Sequence, residues 1–199
     1  MNLWPLRRSI AVAALAFAPS CTSSHVPAAS GSADANVPGI PLILDASAGE
    51  RRVRRPGAAQ VRALNTPFII KVDRRNGASQ DLVMGTEDIA PGQAIPPHRH
   101  LLADEIVFIH RGTGVVELGD QRREVAEGAT VYIPRNVRIT LRNTGAAPMS
   151  IVFTFSKPGF EGLMRENSVL EGQPVVALSD SERVATRARH RWHTVYDQP

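Results

Sequence analysis

An all-β fold, a sandwich or barrel of short strands, is what this sequence predicts between about residue 66 and residue 156. Three observations carry that expectation. Apolar or alternating runs recur at regular spacing, and each is closed by Gly, Pro or an Asn-Gly pair. Val137-Arg-Ile-Thr-Leu-Arg142 alternates cleanly, as a strand with one buried and one wet face does. Hydrophobic residues make up 43% and charged residues 21% of the 199-residue chain, a balance that suits one globular domain with a proper core.

The elements follow in order. Phe68-Ile-Ile-Lys-Val72 reads as a strand, and Asn76-Gly77 after it is a hairpin signal. Asp81 to Ile89 continues as a strand up to the turn at Pro91-Gly92. Ile106 to Ile109 is apolar, with Phe108 assigned to the core, and Gly112 to Gly114 breaks it. Val115 to Leu118, Arg123 to Val125 and Thr130 to Ile133 are separated by turns at Gly119-Asp120 and Glu127-Gly128. After Val137 to Arg142 comes a loop over Asn143 to Pro148, and Ser150 to Phe155 closes the set, with Phe153 and Phe155 in the core. Gly159 to Met164 reads as a short helical piece. Ser179 with Glu182 forms a capping-box pattern that opens a helix running toward His193.

The amino-terminal part has a different character. Arg7 and Arg8 precede the apolar run Ile10 to Ala18, which is too short to span a bilayer, and the arrangement reads as an export signal. Cys21 is the only cysteine, so no internal disulfide can form. Ala18-Pro19-Ser20-Cys21 resembles a loose bacterial lipobox, which implies lipidation at Cys21 and anchoring to a membrane in the periplasm. The alternative is simple cleavage after Ala18, giving a soluble periplasmic protein. Residues 1–20 are thus assigned to a signal peptide, 21–64 to a flexible tether and extension, 65–157 to the β domain and 158–199 to a carboxy-terminal extension with a helix. Within the extension, Pro41-Leu-Ile-Leu44 is a candidate edge strand and Arg51-Arg-Val-Arg-Arg55 reads as a solvated basic loop. The net charge is +4, and loss of Arg7 and Arg8 with the signal leaves about +2. A charge that small argues against nucleic acid as a partner.

Chemistry concentrates in Pro96-Pro-His-Arg-His100 and the acid that follows, Glu105. On a strand, residues i and i+2 share a face, so His98 and His100 point one way and Arg99 the other. Two imidazoles and one carboxylate match the facial set used for Fe(II), Mn(II) and related divalent ions, with coordination positions left open. His110 has the parity of an outward residue. His190 and His193 sit i, i+3 on the carboxy-terminal helix, where a solvated basic face is the simpler reading and replacement of a missing ligand the sharper one.

The spacing from Gly92 through His98, His100 and Glu105 to Gly112 resembles the first motif of the cupins, position for position. Gly128, Pro134 and Asn143 resemble the second motif. The resemblance implies a single cupin-type double-stranded β-helix, or jelly-roll barrel, holding a divalent metal (Fe, Mn, Ni or Zn) on His98, His100 and Glu105. Two positions depart from the pattern: Asn136 stands where the family has glycine, and Ile139 stands where it has a third histidine ligand. Ile139 shares the face of Val137 and Leu141 and so points into the barrel, leaving a three-ligand site or a decayed one. The cost of burying two histidines and a glutamate without a partner favours the former. Tyr132 is a candidate proton donor or supporting partner facing the cavity.

Two functions remain open on these grounds. One is an enzyme that oxygenates, isomerises or decarboxylates a small oxygen-rich molecule. The other is an envelope-tethered module that binds metal or a small ligand without chemistry. The resemblance also implies a homodimer.

Overall fold

The computed structural model describes residues 39–57 and 67–197. Its strands are β1 (Glu50–Arg54), β2 (Phe68–Val72), β3 (Val83–Ile89), β4 (Ala94–His100), β5 (Glu105–Arg111), β6 (Thr113–Leu118), β7 (Gln121–Ala126), β8 (Thr130–Ile133), β9 (Ile139–Asn143) and β10 (Met149–Phe155). Helix α1 (Phe160–Glu166), β11 (Ser168–Leu170), α2 (Asp180–His190) and β12 (Thr194–Tyr196) complete them. One sheet runs β11-β1-β2-β3-β10-β5-β8 and the other β12-β4-β9-β6-β7, with antiparallel pairing throughout. This is the expected all-β jelly roll with a carboxy-terminal helix. No helix among the described residues is long and apolar enough to cross a membrane.

Period-two patterning decides which side chains enter the core. Along β5, Glu105, Val107 and Ile109 are buried, while Ile106, Phe108 and His110 face out. Phe108, expected in the core, is therefore 38% exposed, and its parity with His110 is the reason. Inner faces of the two sheets meet through Val107, Ile109, Ile133, Ile139, Leu141 and Phe155. Gly85 on β3 marks a close approach, since a Cβ there would lie 2.4 Å from the Ile69 carbonyl oxygen and the Phe153 ring.

The Asn76-Gly77 signal lies in a connection wider than a two-residue hairpin. The Asp73 carboxylate accepts the N–H groups of Arg75 and Asn76, while Asn76 Oδ1 accepts the Asp73 N–H. β2 and β3 still pair, with Ile70 opposite Gly85.

Three expectations outside the central strands need correction. Residues 41–44 form no strand. The basic run is not a solvated loop: β1 lies between β2 and β11, and its arginines are ion-paired or hydrogen-bonded. Arg51 reaches Glu171, Arg52 reaches Glu50 and Ser168, and Arg54 reaches Glu87. The capping box at Ser179 and Glu182 is present, but α2 stops at His190 rather than His193. The chain then turns, and β12 pairs with β4.

Candidate metal centre

His98 and His100 lie on β4 of the smaller sheet, and Glu105 opens β5 of the larger one. The four residues between are held as a bend. Asp104 donates its N–H to Ser156 Oγ and accepts both the backbone and side chain of Arg135. The His100 carbonyl oxygen accepts the N–H of Asn136 at 2.6 Å. Asn136 takes φ = 64°, the left-handed turn that a glycine would otherwise supply.

The three donors thereby meet between the sheets, one ligand atom from each within 4.8 Å of the others. His98 Nε2 is 3.1 Å from His100 Nε2, and His100 Nε2 is 3.3 Å from a Glu105 oxygen. All three are buried. Burial pushes His98 down to about 4 and His100 down to about 3, so both rings are neutral at pH 7. Burial pushes Glu105 up to about 7, and the nearby His98 opposes that rise. His98 Nδ1 faces the Pro96 carbonyl oxygen at 2.8 Å, an acceptor only. Its proton therefore sits on Nδ1, and Nε2 presents a bare lone pair to the site. Two neutral imidazoles and one carboxylate, crowded at this separation with a lone pair directed inward, fit a divalent cation.

Ile139 sits opposite His98 in the β4–β9 pairing and lines the cavity, so the position of the expected third imidazole is apolar. The cavity has a volume of about 50 Å³. Its walls are mainly apolar, including Leu141, Val107, Ile133, Phe153 and Phe160. Phe160 opens α1 and its ring lies 4.8 Å from that of His100.

Other sequence expectations fall out differently. Tyr132 does not face the cavity: it is 56% exposed and lies opposite Ile106 on the outer face. Alternation on β8 puts Val131 and Ile133 inside and Tyr132 outside. His110 is exposed, as its parity predicts. His190 contacts Glu166 through Nε2 at 2.9 Å. His193 is 0% exposed, which overturns the solvated-face reading for it, yet it supplies no ligand atom to the cluster. Its Nδ1 instead meets Thr194 Oγ1 at 2.9 Å, and the same hydroxyl meets His100 Nδ1 at 3.0 Å. Burial pushes His193 down to about 4, with His100 adding to the shift. Cys21 lies outside the described residues.

Sequence reasoning missed four polar residues around the site. Tyr196 on β12 pairs with His98 and lines the cavity, and burial raises its phenol above the ordinary value. Arg54 and Glu87 form a bidentate pair on the cavity wall, with contacts of 2.7 and 2.8 Å from one guanidinium nitrogen. Thr194 supports His100. Thr194-Val-Tyr196 is too short a run to carry a periodic strand signal. Nothing in the run Arg51 to Arg55 distinguishes Arg54 as the residue that reaches the cavity.

Comparison with known proteins agrees with this geometry. The family profile described as Cupin domain matches residues 85–155, which hold all three donors. Protein SchB of Streptomyces halstedii is 35% identical over 100 residues, covering 50% of this chain and 67% of that one. The dimethylsulfoniopropionate lyase DddW of Ruegeria pomeroyi is 28% identical over 94 residues, covering 46% of this chain and 59% of that protein. The crystal structure of a predicted oxalate decarboxylase from Thermotoga maritima superposes with a TM-score of 0.51 at 14% identity, covering 59% of this chain and all of that one, which shows the shared fold. With the motif spacing, the facing sheets and the buried donor cluster in place, this chain belongs to the cupins.

Proposed function

We propose that this protein is a metal-dependent cupin enzyme acting on a small molecule with chelating oxygens and an apolar body. The observation that carries the reading is the meeting of His98, His100 and Glu105 at one wall of a small, mainly apolar cavity. A divalent ion bound there supplies Lewis acidity and open positions for a chelating oxygen or dioxygen. Glu105 serves as a ligand, and the apolar walls exclude water from the reacting end of the substrate. Tyr196, whose buried phenol holds its proton at neutral pH, is placed to donate that proton to a substrate oxygen. The Arg54–Glu87 pair offers a second polar contact within an otherwise hydrophobic wall. The reaction class is oxygenation, isomerisation or decarboxylation. The lipobox-like sequence further supports export and tethering to a bacterial membrane through Cys21.

The test is metal content after anaerobic loading with Fe(II) or Mn(II), comparing wild type with His98→Ala. We expect about one ion per wild-type chain and little in the variant. Equal, negligible uptake by both would falsify the metal reading. Oxygen consumption and product formation with a panel of diols, keto acids and phenols then follow on the loaded protein. Ile139 in the fourth ligand position favours a second reading, a binding module, which metal uptake without turnover across the panel would select.

A further inference from the structure

We propose that Thr194, backed by His193, sets the tautomer of His100, which makes the carboxy-terminal strand β12 a working part of the metal centre. This inference rests on the metal reading above.

The two ligand histidines are constrained in different ways. The Pro96 carbonyl leaves His98 only one arrangement, a proton on Nδ1 and a bare Nε2. His100 Nδ1 faces a hydroxyl, which can accept or donate. A hydroxyl carries one hydrogen, and the two histidines are the side-chain partners of Thr194 Oγ1 among the described residues, so the chain His193 Nδ1, Thr194 Oγ1, His100 Nδ1 has two arrangements in which that hydrogen is also bonded.

In the first, His193 Nδ1–H donates to Thr194 Oγ1, whose own hydrogen goes to His100 Nδ1. The His100 proton then sits on Nε2, directed at His98 Nε2 and Glu105. That ring cannot ligate through Nε2. In the second, His100 Nδ1–H donates to Thr194 Oγ1, and the hydroxyl donates to His193 Nδ1. His100 Nε2 is then bare and faces the other donors. Both arrangements contain two neutral imidazoles, so exchanging them moves protons within the network and changes no net charge.

Two features make the arrangements unequal: in the first, His100 Nε2–H donates to the bare Nε2 of His98 at 3.1 Å, and His193 adds a second bias in the same sense. It is 0% exposed, and its Nε2 has no hydrogen-bond partner among the described residues. The first arrangement leaves a lone pair unmatched at that atom. The second leaves an N–H unmatched, which costs more. The ring is packed closely against Gly159, where an added Cβ would come within 2.4 Å of its Cδ2, and edge-on to the Trp192 ring. The metal-free network therefore rests in the first arrangement, and metal binding drives it to the second. Thr194 supplies the acceptor that the second arrangement needs, and His193 biases against it. Thr194 is a positioning residue, acting through His100.

The prediction has opposite signs at the two positions. Zn(II) affinity is measured by competition with a chromophoric chelator, and thermal melting confirms that each variant is folded. Thr194→Val, which keeps the shape and loses the hydroxyl, should weaken Zn(II) binding roughly 10- to 100-fold. Thr194→Ser should restore it to near the wild-type value. His193→Leu, which removes the competing donor, should bind at least as tightly as wild type. Ring-nitrogen NMR should show His100 protonated on Nε2 in the metal-free wild type and on Nδ1 after zinc is added.

Thr194→Val and wild type binding Zn(II) within threefold of each other would overturn the proposal while leaving the metal site intact. Equal weakening in Thr194→Val and Thr194→Ser would do the same, because packing rather than the hydroxyl would then be responsible. A wild type that takes up no metal removes this inference together with the reading beneath it.

Discussion

At residue scale, Glu105 shows the tension between function and stability most directly. Its carboxyl is pushed up to about 7 by burial, from 4.5. In the unfolded chain it ionises near 4.5, while in the folded, metal-free protein it resists ionisation until about 7. Its contribution to stability therefore falls as pH rises through that window, and the loss is complete above it. His98 and His100 act in the opposite sense. Their folded values near 4 and 3 lie below the unfolded 6.5, so they remove stability as pH falls below 6.5. Between pH 5 and pH 8 both histidines stay neutral in the folded protein, so comparing Glu105→Gln with wild type there isolates the carboxyl. After chelator treatment, the variant should be the more stable protein at pH 8, by at most about 3 kcal/mol. The two should converge near pH 5, and the variant should bind metal poorly. A stability difference in urea melts that does not change between pH 5 and pH 8 would sink this account of Glu105. Ile139 illustrates what a single position can reveal without any structure: the motif resemblance places it where a histidine was expected, and its parity with Leu141 turns it into the barrel, where it lies opposite His98.

At the scale of elements, the central strands were legible and the peripheral ones were not. Alternation in Val137 to Arg142 and the turns at Gly119 and Glu127-Gly128 locate β6 to β9 within a residue or two. β1 and β12 were missed for different reasons. β1 has arginine at three of its five positions, and a strand whose charges are neutralised largely by carboxylates far away in the chain, Glu87 and Glu171, has little local signal. β12 is three residues long and follows a helix whose basic pattern runs on past its end. Arg165 on α1 joins several of these pieces, pairing with both Glu50 on β1 and Asp73 after β2. Asp73 is 1% exposed, so removing its cation leaves a buried charge behind. Arg165→Ala should destabilise the fold by about 3–5 kcal/mol in urea denaturation, and Arg165→Met combined with Asp73→Asn should cost clearly less. A double variant as unstable as the single one would overturn this account, because neither removal of the orphaned carboxylate nor retention of an aliphatic stem would then restore stability. Because α1 also carries Phe160 over His100, this ion cluster holds a cavity wall in place.

At the scale of the whole molecule, the site depends on two sheets and on segments from both ends of the described chain. β1 brings Arg54, and β12 brings Thr194 and Tyr196, to a cavity whose donors come from β4 and β5. The proposed envelope tether belongs to this scale as well, since it determines where the barrel works. Expressed in a bacterium with lipoprotein processing, the full chain should incorporate radiolabelled fatty acid and sediment with membranes, and Cys21→Ala should abolish both. Labelling that persists in Cys21→Ala would show that the anchor is elsewhere. What the sequence alone determined is the all-β class, the candidate donors His98, His100 and Glu105, and, through the motif resemblance, the apolar Ile139 where a further histidine was expected. Period-two alternation and short motif spacing are local, and they survive translation into geometry unchanged. Only the tertiary structure decided that Tyr132 faces solvent, that His193 is buried, and that Thr194, Tyr196, Arg54 and Glu87 surround the site. Those outcomes depend on which strand pairs with which, and pairing across ninety-four residues, as between His100 and Thr194, leaves no periodic trace in the chain.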